Sequence, residues 1–227
     1  MESPYYSILI PIYNESKTLK RLLDELYYFY KEGHEIIIIN DGSTDNSEQE
    51  LNSSSFISCI NLKKNHGKGF ALKKALSVSK NDKIIIYDGD LELKVKDISK
   101  LMILSKKNKI NSVLGIRSNE LKPIKSANHW GNFIFTTFYN FIYMTTNKDI
   151  LCCAKSFYKN QVPVKMLKSN GFDIDVEISY FLTQNGRGRS IPQILINYNR
   201  RSVEVGKKLK TSDGWSILKR IILNRIF

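Results

Sequence analysis

Two aspartates separated by one glycine, Asp88-Gly89-Asp90, are the residues of this chain that most clearly suggest a chemical role. They directly follow Lys83-Ile84-Ile85-Ile86-Tyr87, an apolar run that predicts a buried strand. Two carboxylates at the end of such a strand repel each other and resist burial unless a cation compensates them. Divalent metal ions bind hard oxygen ligands of this kind and share them with phosphates. The motif therefore predicts a Mg²⁺ or Mn²⁺ site at Asp88 and Asp90, with Glu92 as a further ligand.

A second acidic loop, Asp41-Gly42-Ser43-Thr44-Asp45, follows the β-branched run at residues 35–39. In this position the carboxylate of Asp41 can accept a hydrogen bond from an N–H group of a nucleobase. Alternatively, Asp41 is a turn aspartate that accepts hydrogen bonds from its own backbone. The sequence leaves both interpretations open.

The segment Gly67-Lys68-Gly69 has the composition of a phosphate-binding turn, in which backbone N–H groups and a lysine contact an anion. It is not a P-loop, because there is no glycine five residues before the lysine and no Ser or Thr after it. It does not complete G-x-G-x-x-G either, because position 72 is leucine. These mismatches count against a nucleotide triphosphatase and an NAD enzyme. Alternatively, the glycines only permit a tight turn between a strand and a helix.

A basic group near the C-terminus contains Arg200, Arg201, Lys207 and Lys208 on both sides of Gly206. Exposed charge of this kind is usually just solvated. Here the group follows a predicted strand, as a loop that folds over phosphates would. Arginine and lysine next to a departing diphosphate would relieve its negative charge.

Apolar strands alternate with helical patterns along the chain. Predicted strands cover residues 7–10, 35–39, 57–62, 84–86, 112–115 and 190–198, with Pro11 ending the first. Later helices are predicted at 133–144, at 173–185 and from Asp213 onward. This pattern predicts an α/β fold with a mostly parallel central sheet flanked by helices. We expect one domain at residues 1–198, followed at 199–227 by a basic loop and an amphipathic helix.

In open parallel sheets, ligands bind beyond the carboxyl ends of the strands. This rule brings together four polar loops of the predicted sheet, at residues 11–15, 40–45, 65–69 and 88–92.

The composition favours an anionic partner. The chain of 227 residues has 35 Lys and Arg against 22 Asp and Glu, a net charge of +13, which suits nucleic acid, a phosphorylated substrate or an anionic membrane. Three cysteines without zinc spacing indicate a reducing compartment. We find no signal-peptide pattern at residues 1–4 and no apolar run of the roughly 18 residues that a membrane span needs.

The aromatic helix at 133–144 is of a kind that is usually core, but together with the cationic last helix it predicts a membrane-facing surface.

Six motifs, in order, resemble family 2 glycosyltransferases of the GT-A fold, above all the dolichyl-phosphate mannose synthase and bacterial polyprenyl-phosphate glycosyltransferase branch. The first four are similar to P-x-Y-N-E, D-D-G-S-x-D, N-x-G-K-G and D-A-D-L-x. The last two are similar to G-x-R and G-F-x-x-E. In this chain they are Pro11–Glu15, Asn40–Asp45 with Asn40 replacing the first aspartate, Asn65–Gly69, Asp88–Glu92, Gly115–Arg117 and Gly171–Glu177.

The resemblance implies a donor sugar linked to UDP or GDP and an acceptor that is a lipid phosphate or a glycan. It implies that the nucleoside pocket is lined by Pro11, Tyr13, Glu15, Ile39 and Asp41. Lys68 and Gly89, inside two matched motifs, are counted with the donor-binding residues. Arg117 would contact the donor or the acceptor phosphate, and Arg201 and Lys207 would close over the donor. Asp149 matches an aspartate near the acceptor, although residues 149–155 lack the glycine and phenylalanine usual there.

The predicted function is a metal-dependent, inverting transfer of a sugar from a nucleotide sugar to a polyprenyl or dolichyl phosphate, on the cytoplasmic face of a membrane. A lipid phosphate is already anionic and needs no strong base, whereas a sugar hydroxyl would need one, for which Asp149 and Asp175 are candidates. The main alternative is a glycosyltransferase that elongates a surface polysaccharide. A nucleotidyltransferase is disfavoured, because the sequence contains no recognisable triphosphate-binding motif. A basic nucleic-acid-binding protein lacks interleaved aromatic and basic residues, so no nucleic-acid partner is predicted.

Overall fold

The computed structural model describes residues 2–118, 127–185, 191–199 and 211–226. Within these ranges the strands are β1 (Tyr6–Ile12), β2 (Glu35–Asn40), β3 (Ser58–Asn61), β4 (Lys83–Ile86), β5 (Ser112–Arg117), β6 (Lys155–Tyr158) and β7 (Gln193–Ile196). They form one sheet in the order β3-β2-β1-β4-β6-β5-β7. Only β6 runs antiparallel to its neighbours among these strands. The predicted α/β fold with a mostly parallel sheet is confirmed.

Helices cover both faces of the sheet. They are α1 (Ser16–Lys31), α2 (Ser47–Asn52), α3 (Lys68–Val78), α4 (Ala127–Tyr143), α5 (Ile174–Asn185) and α6 (Thr211–Ile226), with short 3-10 helices at Val95–Leu101, Lys159–Gln161 and Val164–Met166. Alternate residues of β1 show the two layers: Ile8 and Ile10 pack in the cluster that contains α1, and Leu9 packs in the cluster that contains α3 and α5. The strands are therefore apolar at nearly every position, as strands covered on both faces must be.

A third apolar cluster joins α4, α5 and α6 around Tyr139, Val176 and Ile221. The hydroxyl of Tyr143 donates to the Ile221 carbonyl at 2.6 Å, which ties α4 to α6. The described part of the C-terminal segment thus packs against helices of the first 198 residues. The predicted division at residue 199 stays a prediction, because residues 200–210 lie outside the described ranges. No helix in the described ranges combines the length and hydropathy that a bilayer-spanning segment needs.

Pro11 does not end the first strand, contrary to the prediction. β1 continues to Ile12, and Pro11 lies opposite Ile39 of β2. In a parallel strand the N–H and C=O of one residue point to the same side, so the missing N–H of Pro11 points toward β4. The ladder with β4 ends at Leu9 and Ile86, and no ladder bond is lost.

No pattern in the sequence indicates β6, which lies between β4 and β5. Half of this four-residue strand is polar, because Lys155 and Ser156 are buried in it, and no apolar run marks it. Its reversed direction has a consequence for function. The residues that precede an antiparallel strand lie at the carboxyl edge of its parallel neighbours, so residues 149–154 reach that edge.

Helix α3 begins directly against the segment 169–171. The N–H groups of Gly69 and Phe70 donate to the carbonyl of Asn170 at 2.7 and 3.2 Å. Gly67 has a φ of +98°, and a Cβ built on it would lie 2.3 Å from the same carbonyl oxygen. The glycine therefore permits both the backbone turn and the close approach of the two segments.

We expect Gly67→Ala to lower the free energy of unfolding by about 2 kcal/mol, because the new methyl group meets backbone at an unfavourable φ. The matched control is Gly131→Ala in α4, where nothing lies within 4 Å of the added Cβ. That change should be neutral or stabilise by up to ~1 kcal/mol through helix propensity. Urea denaturation of both variants tests this contrast, and equal midpoints would contradict it.

Candidate functional site

The loops after β1 and β2 are joined by hydrogen bonds at the carboxyl edge of the sheet. The Asn14 N–H donates to the Ser43 hydroxyl at 2.9 Å, and the Asn14 side-chain oxygen accepts from the Thr44 N–H at 2.8 Å. The Ser16 N–H donates to Asp45 at 3.0 Å. Asn14 has a φ of +52°, in the left-handed region that asparagine tolerates better than most residues. The two loops therefore form one fixed rim.

Asp41 joins the loop after β2 to the loop after β3. Its two carboxylate oxygens accept the N–H groups of His66 and Gly67 at 2.9 and 2.8 Å. The residue is buried, so its main visible role is to hold the neighbouring loop in place. Neither interpretation from the sequence described this arrangement: the partners are amides 25 and 26 residues away, not the amides of its own turn. The nucleobase contact stays a prediction.

The structure does not support a phosphate nest at Gly67-Lys68-Gly69. The amides of Gly69 and Phe70, which such a nest would use, already donate to the Asn170 carbonyl. The alternative interpretation, that the glycines permit a tight turn, agrees with the packing of α3 on residues 169–171.

Lys68 instead points to the aspartate motif. Its ammonium nitrogen lies 2.9 Å from Oδ1 of Asp88 and 2.9 Å from Oδ2 of Asp175, and its side chain is only 8% exposed. Burial alone would lower the pKa of Lys68, but the charges of Asp175 and Asp88 outweigh burial and raise it well above the ordinary lysine value. Burial likewise opposes the charge of Asp88, yet Lys68 holds the pKa of Asp88 below its usual value. Lys68 and Asp88 are therefore both charged at neutral pH.

The charges continue beyond Asp175 to a second buried lysine. The ammonium group of Lys155, 1% exposed, lies 3.9 Å from Oδ1 of Asp175, and it donates to the Cys152 carbonyl. We call Asp88, Lys68, Asp175 and Lys155 the buried charge row. Acidic and basic side chains alternate along this row, so each acid has at least one base next to it.

Cys153 contributes a thiol beside this row. Interaction with this thiol contributes, after Lys68, to the lowered pKa of Asp88. Burial first, and the Asp88 charge second, raise the pKa of Cys153 well above the ordinary thiol value. The group is therefore a neutral donor and not a nucleophile. Residues 149–155, where the chain departs from the pattern of the family that it resembles, thus lie beside the aspartate motif.

Asp90 and Glu92, the other two acids of the motif, are half-buried. The Glu92 N–H donates to Asp90 at 3.0 Å, and Leu91 between them has a φ of +60°. Gly89 is buried, and a Cβ there would lie 2.4 Å from Ile12. This contact gives Gly89 a packing role, whereas the resemblance counted it with the donor-binding residues.

The carboxylates of the motif fit a cation that arrives with its phosphate ligands. Within the described ranges, no three His, Cys, Asp or Glu residues are already grouped as a metal site. Mg²⁺ is commonly bound by one or two carboxylates plus substrate phosphates, without a complete protein cage. Asp90, with Glu92 next to it, offers that kind of partial site.

Arg117 and Asp149 form a bidentate ion pair at the end of β5. The Nε and Nη2 atoms of Arg117 lie 2.9 and 2.8 Å from the two oxygens of Asp149, and the Arg117 N–H also donates to Asp149 at 3.1 Å. The Asp149 side chain is completely buried, whereas Arg117 is partly exposed and lies over the Tyr198 ring. Asp149 is thus placed to orient Arg117 rather than to meet an acceptor.

The other predicted site residues fall into three groups. Pro11 and Tyr13 are half-buried at the end of β1, and Glu15 is buried with Thr18 donating to its carboxylate. Ile39 is completely buried in the cluster under α3, so its side chain does not line an open pocket as predicted. Arg201 and Lys207, with Arg200 and Lys208, lie outside the described residues.

Lys155 and Cys153 were not predicted from the sequence as parts of the site. Their positions depend on β6, for which no sequence pattern was found. Glu177, in the last matched motif, has a structural role, because its carboxylate accepts the N–H groups of Lys168 and Ser169 and faces Arg220 of α6.

Comparison with known proteins adds independent information. Residues 7–162 match Glycosyl transferase family 2. A dolichyl-phosphate beta-glucosyltransferase of Dictyostelium discoideum is 27% identical over 202 residues, which cover 78% of this chain and 62% of that protein. An undecaprenyl-phosphate 4-deoxy-4-formamido-L-arabinose transferase of Yersinia pestis is 35% identical over 104 residues, covering 42% and 32%. The chain thus spans less than two thirds of the length of these relatives.

Among solved structures, glucosyl-3-phosphoglycerate synthase of Mycobacterium tuberculosis, in complex with Mn²⁺, UDP and phosphoglyceric acid, superimposes with a TM-score of 0.74. The identity is 14%, and the match covers 97% of this chain and 78% of that protein. At this identity the likeness concerns the fold, and it agrees with the architecture described above. Because the family match covers more than half of the chain, the chain belongs to Glycosyl transferase family 2.

Proposed function

We propose that this chain transfers a sugar from a nucleoside diphosphate to the phosphate of a polyprenyl-type lipid. The observation that carries the proposal is the set of four joined loops at the carboxyl edge, which ends in a partly exposed aspartate motif. The named relatives, which act on dolichyl and undecaprenyl phosphates, support the lipid acceptor. The solved relative that holds Mn²⁺ and UDP supports a UDP-linked donor and a divalent metal.

In the proposed reaction, an acceptor oxygen forms a bond to the anomeric carbon as the bond from that carbon to the diphosphate oxygen breaks. A single displacement of this kind inverts the anomeric configuration. Asp90, with Glu92, would hold Mg²⁺ or Mn²⁺, which would neutralise charge on the leaving diphosphate. Arg117, held by Asp149, is positioned to attract a phosphate at the same edge. Arg201 and Lys207 stay proposed donor contacts on the family resemblance alone.

A phosphate acceptor fits the surroundings better than a sugar hydroxyl. A hydroxyl acceptor needs a base, and the candidate carboxylates are already engaged: Asp149 with Arg117, and Asp175 with Lys68. A phosphate monoester is anionic at neutral pH and needs no base. A polysaccharide acceptor remains the alternative outcome of the test.

The direct test is product formation by the full chain from UDP- or GDP-linked sugars with Mn²⁺. Polyprenyl phosphate and a saccharide are supplied as competing acceptors. The proposal predicts a lipid-linked sugar with inverted configuration. Transfer of the sugar only to the saccharide would contradict the lipid acceptor and support the polysaccharide acceptor.

The metal role gives a sharper prediction. Asp90→Asn should reduce turnover at saturating donor and Mn²⁺ by at least about a hundredfold, because charge stabilisation at the diphosphate is lost. The matched control is Asp82→Asn, an exposed aspartate before the same strand, β4, which should keep normal turnover. Near-normal turnover of the Asp90 variant would end the metal hypothesis.

We also propose peripheral contact with the cytoplasmic face of a membrane through α4 and α6. Ile134 and Phe141 lie along one side of α4, Phe141 is 78% exposed, and the exposed Met144 directly follows the helix. On α6, Trp215 is 76% exposed, and the exposed Lys219 and Ile222 follow at helical spacing. Aromatic and basic residues on exposed helix faces suit the interface of an anionic membrane. A lipid acceptor would require such contact.

Phe141→Ser should weaken binding to phosphatidylcholine–phosphatidylglycerol vesicles by about tenfold, because a buried Phe side chain contributes roughly 1.5–3 kcal/mol. Vesicle co-sedimentation measures the change. Tyr28→Ser, which removes an exposed aromatic ring from α1, is the control and should bind like the unchanged protein. Equal losses in both variants, or none in either, would contradict a specific α4 contact.

A further inference from the structure

Lys68 occupies the position at Asp88 that a metal ion would need. Its ammonium nitrogen lies 2.9 Å from Oδ1 and 3.1 Å from Oδ2 of Asp88, so one cation already faces both oxygens of this carboxylate. A divalent ion that bound both oxygens of Asp88 would have to displace the lysine or accept its repulsion at close range.

Displacement of Lys68 is unfavourable for reasons built into the fold. The start of α3 is held by hydrogen bonds to the Asn170 carbonyl, which fixes the backbone of the lysine. The far end of the side chain is held by Asp175, in the first turn of α5, at 2.9 Å. If Lys68 moved to a phosphate, Asp175 would lose its close cation, since Lys155 is 3.9 Å away. A buried carboxylate without a close partner is strongly disfavoured.

Oδ1 of Asp175 makes this loss more costly. It is buried without a hydrogen-bond donor among the described residues, so the near contact with Lys68 at Oδ2 is the main compensation that this carboxylate has. The Lys68 ammonium is therefore shared by two carboxylates, that of Asp88 in the aspartate motif and that of Asp175 in α5.

We propose that Lys68 is a positioning residue that acts as the internal counter-ion of Asp88. It holds the carboxylate of Asp88 in place, and it leaves the divalent ion of the proposed function to Asp90 and the donor diphosphate. Metal and nucleotide consequently bind together, and the protein without nucleotide binds the metal weakly. This inference rests on the proposed function, because the metal is part of that function. It assigns the Lys68 ammonium to Asp88 and not to a phosphate of the donor.

The experiment is Mn²⁺ binding to the full chain, followed by electron paramagnetic resonance with and without UDP. The unchanged protein should bind Mn²⁺ at least about tenfold more tightly with UDP than without it. Lys68→Met, which keeps most of the side-chain length and removes the charge, should tighten binding without UDP by about tenfold, because Asp88 becomes available. Lys68→Arg restores a cation and should behave like the unchanged protein.

The matched control is Lys74→Met. Lys74 is exposed on the same helix, so this change removes the same charge without touching the buried charge row. It should leave Mn²⁺ binding unchanged. If Lys68→Met does not fold, the double variant Lys68→Met with Asp175→Asn removes one charge of each sign and should show the same tightening.

Four results separate the possible failures. Unchanged or weaker Mn²⁺ binding without UDP in folded Lys68→Met, or in the double variant where Lys68→Met does not fold, would overturn the counter-ion role. Loss of metal-free UDP binding in Lys68→Met would assign the lysine to the phosphates and overturn it as well. Equal Mn²⁺ affinity with and without UDP in the unchanged protein would overturn joint binding. Absence of Mn²⁺ binding even with UDP would instead count against the proposed function.

Discussion

The ion pairs of Lys68 with Asp88 and Asp175 are the interaction on which the carboxyl edge of the sheet depends. Several carboxylates meet there, and each is compensated differently. Backbone amides satisfy Asp41, and the Arg117 guanidinium satisfies Asp149. The Lys68 ammonium compensates Asp88 and Asp175. A lysine side chain held by the fold is harder to displace than a bound ion. The group that compensates each carboxylate therefore determines whether that carboxylate can bind a metal.

Packing of distant segments makes this compensation possible. The antiparallel strand β6 brings Lys155 and Cys153 to an edge that otherwise consists of the ends of parallel strands. The glycine at position 67 lets α3 begin within hydrogen-bond distance of residue 170, which places Lys68 between β4 and α5. The same segment leads into α5, whose first turn carries Asp175. Residues from the ends of β4 and β6 and from the starts of α3 and α5 therefore form one group of neighbouring charges.

Much of this arrangement was predictable from the sequence. Apolar strands alternating with helices predict a parallel sheet, and the rule that ligands bind at carboxyl ends brings together the loops after β1, β2, β3 and β4. Hydrogen bonds and an ion pair between these loops confirm that they are neighbours. The aspartate motif was recognisable because two acids after a buried strand need an explanation.

The parts that were not predictable depend on long-range packing. The partner of Lys68 at position 175 is 107 residues away in sequence, and no local pattern connects them. β6 is short and half polar, so its burial follows from its neighbours rather than from its own residues. Ile39 was assigned to a pocket because it is next to a binding motif, but side chains alternate along a strand, and this one points into the core. Pro11 was expected to end a strand because the end of the β4 ladder could not be read from the sequence.

The most direct test is the position of a Mn²⁺ ion in crystals of the full chain grown with UDP, located by anomalous scattering. The predicted result is a peak coordinated by Asp90 and diphosphate oxygens, with the Lys68 ammonium still within hydrogen-bond distance of Asp88 and Asp175. A peak bound by both oxygens of Asp88, with Lys68 moved onto the phosphates, would contradict the central claim.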